Sequence, residues 1–116
     1  MKTLQDQHFA VTGVATGIGA ELARQLLASG ARVTGFDVAT PEGAAFPCHR
    51  VDLADLASIK PLVEQAQGPF TGLCNNAGLS PRPGREALIL TVNFFAQRAF
   101  TQAMLPKLAS GASIVN

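Results

Sequence analysis

The chain has no tryptophan and no tyrosine, so no phenolic side chain is available for acid–base work. Charge is also scarce: only 15% of residues are Asp, Glu, Lys or Arg, and the net charge is +1 with no basic cluster. That excludes the electrostatic footprint of a nucleic-acid binder. Cysteine is limited to Cys48 and Cys74, whose separation fits no metal-ligand spacing. Both are expected to be free, buried thiols in a reducing cytoplasm. No run approaches the ~20 apolar residues of a membrane span. The segment Met1–His8 has no apolar leader core. These absences predict a cytoplasmic chain without nucleic-acid or membrane partners and without a metal site.

What is present is mostly apolar. Hydrophobic residues make up 47% of the 116 positions, enough for one modest core, and residues 1–116 are expected to form one domain. Phe9–Thr12 reads as a buried strand ending at Gly13. Ile18, Leu22, Leu26 and Leu27 follow at helical spacing, closed by Ser29-Gly30. Arg32–Asp37 and Cys48–Asp52 read as strands that each end on an acid, with a turn-rich link over 38–47. Asp55 is placed to cap a helix carrying Leu56, Ile59, Leu62, Val63 and Ala66, within which Pro61 blurs the start. Gly72–Asn75 is the fourth strand, 79–85 a loop, and a long helix is predicted over 86–105, ended by Pro106. A fifth strand is expected from Ala112. Strands alternating with helices give a doubly wound parallel α/β sheet of order 3-2-1-4-5. Along the long helix, Leu88, Val92, Phe95, Ala96, Ala99 and Ala103 share one face, and Ile89, Phe100 and Met104 widen it. So broad an apolar arc needs cover on two sides, from further chain or from a second subunit.

The chemistry-bearing motif is Thr12-Gly13-Val14-Ala15-Thr16-Gly17-Ile18-Gly19, between the first strand and the first helix. Gly13 permits the sharp turn, Gly17 and Gly19 admit a pyrophosphate to the helix N-terminus, and Thr16 can add a hydroxyl donor. Asp37 lies eighteen residues after Gly19, at a strand end, where a carboxylate can accept bonds from the hydroxyls of an adenosine ribose. It would repel a 2′-phosphate: like charges ~4 Å apart cost roughly 1–4 kcal/mol, a factor of about ten to several hundred. No Arg or Lys follows in Val38-Ala39-Thr40. Asp52 is placed to accept a bond from an adenine amino group or to cap the next helix. Asn75-Asn76-Ala77-Gly78 follows the fourth strand, where small residues leave room for a cofactor and Asn side chains can tie loops together. Asn93 interrupts the apolar helix with an amide that needs partners if buried.

Together "TGVATGIG", Asp37, "VDL" at 51–53, "NNAG" and "VN" at 92–93 resemble the short-chain dehydrogenase/reductase family, in the family's order and over nearly the whole chain. The resemblance implies a Rossmann-type fold and an NAD(P)-dependent oxidoreductase acting on an alcohol or ketone. It implies that Gly13, Thr16, Gly17, Ile18 and Gly19 hold the pyrophosphate of NAD, and that Asp37 selects NAD. By the same resemblance Asp52 meets adenine, and Asn75, Ala77 and Gly78 line the ribose side. Asn93 matches the Asn of the catalytic tetrad, which anchors a water in the proton relay. The short stretch from Gly78 to Asn93, with "GLSPRPG", is similar to the branch containing 3α-hydroxysteroid dehydrogenase/carbonyl reductase and coniferyl-alcohol-dehydrogenase-like proteins.

The family pattern continues past a strand like Ser113–Asn116 into a catalytic Ser and a Tyr-x-x-x-Lys pair. Neither has a counterpart here, and Lys107 lacks the motif context. The chain is therefore expected to be the cofactor half of a longer enzyme, incomplete on its C-terminal side and inactive alone. The alternative is a non-catalytic NAD- or adenosine-binding module. A homo-oligomer through the 86–105 helix is also expected. The isolated chain should be poorly stable or self-associating, because each uncovered large apolar side chain forfeits roughly 1.5–3 kcal/mol.

Overall fold

Ala10 and Val11 are both fully buried, yet they belong to different cores. Successive side chains of a strand point to opposite faces, so a strand apolar at both positions must be covered twice. That is the situation of β1 (His8–Thr12) at the centre of a five-stranded sheet. The computed structural model describes residues 4–116. Its other strands are β2 (Arg32–Asp37), β3 (Cys48–Arg50), β4 (Phe70–Cys74) and β5 (Leu108–Val115), all parallel and in the order β3-β2-β1-β4-β5.

One face is covered by α1 (Gly17–Ala28), whose Ala23 and Leu26 meet Val11, Val14 and Val33. The other is covered by α2 (Leu56–Gln65) and by the helical rod that starts at Glu86. There Ile59, Val63, Phe100 and Met104 pack on Phe36, Phe70 and Leu73, with the Phe36 and Phe100 rings edge-on at 4.9 Å. The chain winds from β1 outward through β2 to β3, then returns to β4 and β5. A crevice therefore opens where the winding reverses, at the carboxyl ends of β1 and β4.

Several local expectations are corrected. The rod is α3 (Glu86–Leu90), a π-helical segment (Thr91–Ala96) and α4 (Gln97–Met104), ending in a 3₁₀ turn over Leu105–Lys107. The wider π turn shifts the rotational phase. Phe95, expected on the core face, is 43% exposed, while Phe100 and Met104 are buried at the centre. The fifth strand starts at Leu108, not Ala112. Between Phe70 and Gly72 of β4 its register jumps from Leu108 to Ser113, a bulge containing Gly111 at φ +79. The third strand stops at Arg50, so Asp52 lies beyond it in an exposed turn. Asp55 occupies the N-cap of α2, but its side chain makes no cap bond; Asp52 Oδ1 accepts the Ala54 N–H at 2.9 Å. Pro61 lies inside α2. Cys48 and Cys74 are free, but half-buried rather than buried. Burial pushes both thiols up in pKa, aided at Cys48 by the Asp37 charge. Among the described residues no helix is long and apolar enough to cross a membrane, and no cluster of His, Cys, Asp or Glu could hold a metal ion.

Candidate functional site

The crevice at the reversal point is a cleft of about 660 Å³. Gly13, Thr16, Gly17 and Ile18 line it from the glycine turn, Asp37 from the end of β2, and Asp52 from the turn after β3. Asn76, Ala77 and Gly78 enter from the segment after β4. Leu88 and Val92 close it from the helical rod, and Leu79 and Ser80 from the loop between. No lysine or arginine lines it among the described residues.

Each loop is tied to another. Thr12 Oγ1 accepts the Ala77 N–H at 3.0 Å, and Asn76 Nδ2 donates to the Gly13 carbonyl at 3.2 Å. These bonds clamp the glycine turn of β1 to the end of β4. Asp37 Oδ2 accepts the Ala15 N–H at 2.9 Å, fastening the same turn to β2. Asn93 Oδ1 accepts the Leu79 N–H at 2.7 Å and its Nδ2 donates to the Leu79 carbonyl at 2.9 Å, holding the loop after β4 onto the π segment.

The glycine turn leaves α1 open at its start. Thr16 is the N-cap residue, in extended conformation, and makes no side-chain cap bond. The first N–H groups of a helix have no intrahelical partner, so this end offers donors and the positive end of the helix dipole to an anion. Gly17 has φ +58, and a Cβ there would meet nothing within 4 Å. Gly19 is the opposite case: a Cβ would lie 2.5 Å from Asn76 Nδ2 and 2.7 Å from the Gly13 carbonyl carbon. It is small because helix, turn and strand end meet there. On the far side of the anion site, Asp37 and Asp52 make the cleft acidic.

Of the residues singled out in the sequence, the cleft brings together Gly13, Thr16, Gly17, Ile18, Asp37, Asp52, Ala77 and Gly78. Gly19 is buried behind the turn. Asn75 does not reach the cleft. It is buried, and its Nδ2 donates to Thr101 Oγ1 at 3.0 Å and Asn116 Oδ1 at 2.9 Å, tying β4 to α4 and β5. Its neighbour Asn76 faces the cleft instead. The period-two alternation of a strand continued past β4 is the signal that separates the two. Asn93 is exposed and stands behind Leu79 rather than on the cleft wall.

Comparison with known proteins identifies the family. A family model described as short chain dehydrogenase matches residues 7–116. The chain belongs to the short-chain dehydrogenase family. It is 36% identical to a coniferyl-alcohol dehydrogenase of a Pseudomonas sp. over 113 residues, 97% of this chain and 44% of that protein. A blue fluorescent protein from a metagenomic library, solved in complex with NADPH, superposes with TM-score 0.81 at 27% identity, over 97% of this chain and 56% of the other. A short chain dehydrogenase from Leptospira borgpetersenii with bound NAD+ gives TM-score 0.75 at 25% identity, over 86% and 45%. The short-chain dehydrogenase chain spans about half the length of the curated relatives it matches. Its Lys107 is far from the cleft, at the amino end of the sheet. There Nζ donates to the Glu64 carbonyl at 3.0 Å and the Ala66 carbonyl at 2.5 Å, closing the C-terminus of α2.

Proposed function

We propose that residues 1–116 form the cofactor-binding unit of an NAD-dependent alcohol or ketone oxidoreductase. The observation that carries this reading is one cleft holding both an uncapped helix N-terminus and the Asp37 carboxylate, with no lysine or arginine on its wall. The first suits a pyrophosphate. The second suits a ribose diol and disfavours a 2′-phosphate that no cation would offset. A cleft of about 660 Å³ also lies within the ~300–1,000 Å³ of small-molecule and cofactor sites.

In this reading Gly13, Thr16, Gly17 and Ile18 hold the pyrophosphate, with Gly19 packed behind the turn that presents them, while Asp37 takes the ribose hydroxyls and Asp52 the adenine amino group. Ala77 and Gly78 line the second ribose, and buried Asn75 supports them from behind. Asn93 takes the family's tetrad position, where a proton-relay water is ordered. Bound NAD supplies the carbon that accepts or returns a hydride. The chain's own residues bind and orient it and close the cleft with Leu88 and Val92. Having no tyrosine, the 116-residue chain is proposed to bind NAD without turning over an alcohol. A cytoplasmic setting with free thiols belongs to the same proposal.

Calorimetric titration with NAD and NADP tests it. NAD should bind at least about tenfold more tightly, and NADH should not accumulate with alcohols present. Equal affinities, a preference for NADP or no NAD binding would each refute the reading. The exposed Leu90, Phe94, Phe95 and Leu105 along the rod support self-association there. Phe94→Glu should shift light scattering toward the monomer, and an unchanged or already monomeric mass would reject that interface.

A further inference from the structure

The carboxylate assigned above to the ribose already has two partners inside the protein. Asp37 Oδ1 accepts the Ala39 N–H at 3.1 Å, a local turn two residues on. Asp37 Oδ2 accepts the Ala15 N–H at 2.9 Å, across 22 residues of sequence. The two bonds differ in kind. An acid often closes a turn onto the N–H two residues ahead. The Ala15 bond exists only when the end of β2 lies beside the glycine turn.

Ala15 sits in the middle of that turn and is half-buried. Its N–H has no backbone acceptor among the described residues, so the carboxylate is the group that satisfies it. On either side, Gly13 has φ +70 and Gly17 has φ +58. Glycine backbone has many accessible conformations; bonds to Phe36 and Asn76 hold the turn at Gly13, and the Ala15 bond fixes its centre. A carboxylate has about four acceptor sites, so two backbone donors still leave capacity for two ribose hydroxyls.

We propose that Asp37 is a positioning residue for the phosphate-binding turn in addition to its ribose contact. The inference rests on the cofactor reading above and deepens it: cofactor choice and the shape of the pyrophosphate site depend on one side chain. Replacing Asp37 to admit a 2′-phosphate also loosens the turn that holds the pyrophosphate, so substitution at this position alone does not convert the site to NADP.

Asp37→Ser separates the two roles. A serine hydroxyl can still serve the local turn to Ala39 but is too short to reach Ala15; Asp37→Ala, as a second variant, removes both. Two readouts avoid the ribose: hydrogen exchange at the Ala15 amide in ligand-free protein, and affinity for inorganic pyrophosphate. In both variants Ala15 should exchange about tenfold faster or more, the loss of a bond to a charged acceptor. Pyrophosphate should bind more weakly even though a nearby negative charge has gone, and NADP should bind no more tightly than to the parent. Unchanged Ala15 exchange would overturn the proposal. So would pyrophosphate binding that is unchanged or tighter, which is what a pure ribose contact gives. If the parent binds neither NAD nor pyrophosphate, the cofactor reading fails, and Ala15 exchange alone then decides the brace.

Discussion

Adding one methyl group at Gly19 should damage both the fold and the site, whereas the same change at Gly17 should damage chiefly the site. A Cβ on Gly19 would lie 2.7 Å from the Gly13 carbonyl carbon and 2.5 Å from Asn76 Nδ2. The Gly13 carbonyl oxygen is nearer still and would overlap the methyl; carbon–carbon contacts are optimal near ~3.5–4.0 Å, so α1 and the turn must part by at least about 1 Å. Overpacking of this kind costs about 1–3 kcal/mol. The same movement breaks the 3.2 Å bond from Asn76 to Gly13, a further ~0.5–1.5 kcal/mol. Together that is about 2–4 kcal/mol, or a fall in Tm of roughly 6–20 °C for a chain of this size. At Gly17 a Cβ meets no protein atom within 4 Å, and the cost is the left-handed backbone at φ +58, about 1–2 kcal/mol. Its methyl would instead stand in the cleft. Thermal melts paired with NAD calorimetry should show Gly19→Ala losing stability and binding together, and Gly17→Ala losing binding out of proportion to stability. A Gly19→Ala protein that melts with the parent and binds NAD as tightly would refute the close-approach argument.

Three further expectations concern the scaffold. His8 is buried, with Nε2 2.8 Å from Thr34 Oγ1 and Nδ1 3.1 Å from the Pro69 carbonyl. Burial, and then the Arg32 charge, lower its pKa from 6.5. Between the lowered folded value and 6.5 the unfolded chain binds the proton more readily, so His8's contribution is present above pH 6.5 and lost on acidification below it. Denaturant melts of His8→Asn should show a flatter pH dependence through that window; an unchanged slope contradicts the assignment. Phe100→Ala, at a site 1% exposed between Phe36 and α2, should cost about 3–5 kcal/mol in urea unfolding, and a loss below ~1 kcal/mol would mean the core is packed elsewhere. Lys107→Met keeps the aliphatic stem and removes both bonds to the end of α2. It should cost about 1–3 kcal/mol and leave NAD affinity unchanged, and weaker NAD binding would show that Lys107 does more than close the helix.

The elements and the anion-binding turn could be read from the chain because their causes are local. The spacing of Leu22 and Leu26, the run Phe9–Thr12 and the glycines at 13, 17 and 19 act within a turn or two of backbone. Alternation of helices with strands then fixes a parallel sheet and its reversal point with little further information. The chain is least legible where a partner strand is distant or a helix widens for a turn. Gly111 hid the first half of β5, because a bulge is specified by the strand it pairs with. An even 3.6-residue period puts Phe95 in the core, and one wider turn over Thr91–Ala96 breaks that period.

The same division runs through the site. That a glycine turn precedes a helix and that an acid ends the second strand follows from contiguous patterns in the chain. It takes the folded sheet to show that Asn76 reaches the Gly13 carbonyl, that Thr12 holds Ala77, and that Asp37 reaches back to Ala15. Those bonds join residues 63, 65 and 22 positions apart in the cases of Asn76–Gly13, Thr12–Ala77 and Asp37–Ala15. No periodicity within a segment encodes such a partner. It is set by which strand lies beside which, and by which face each side chain takes once the sheet has formed.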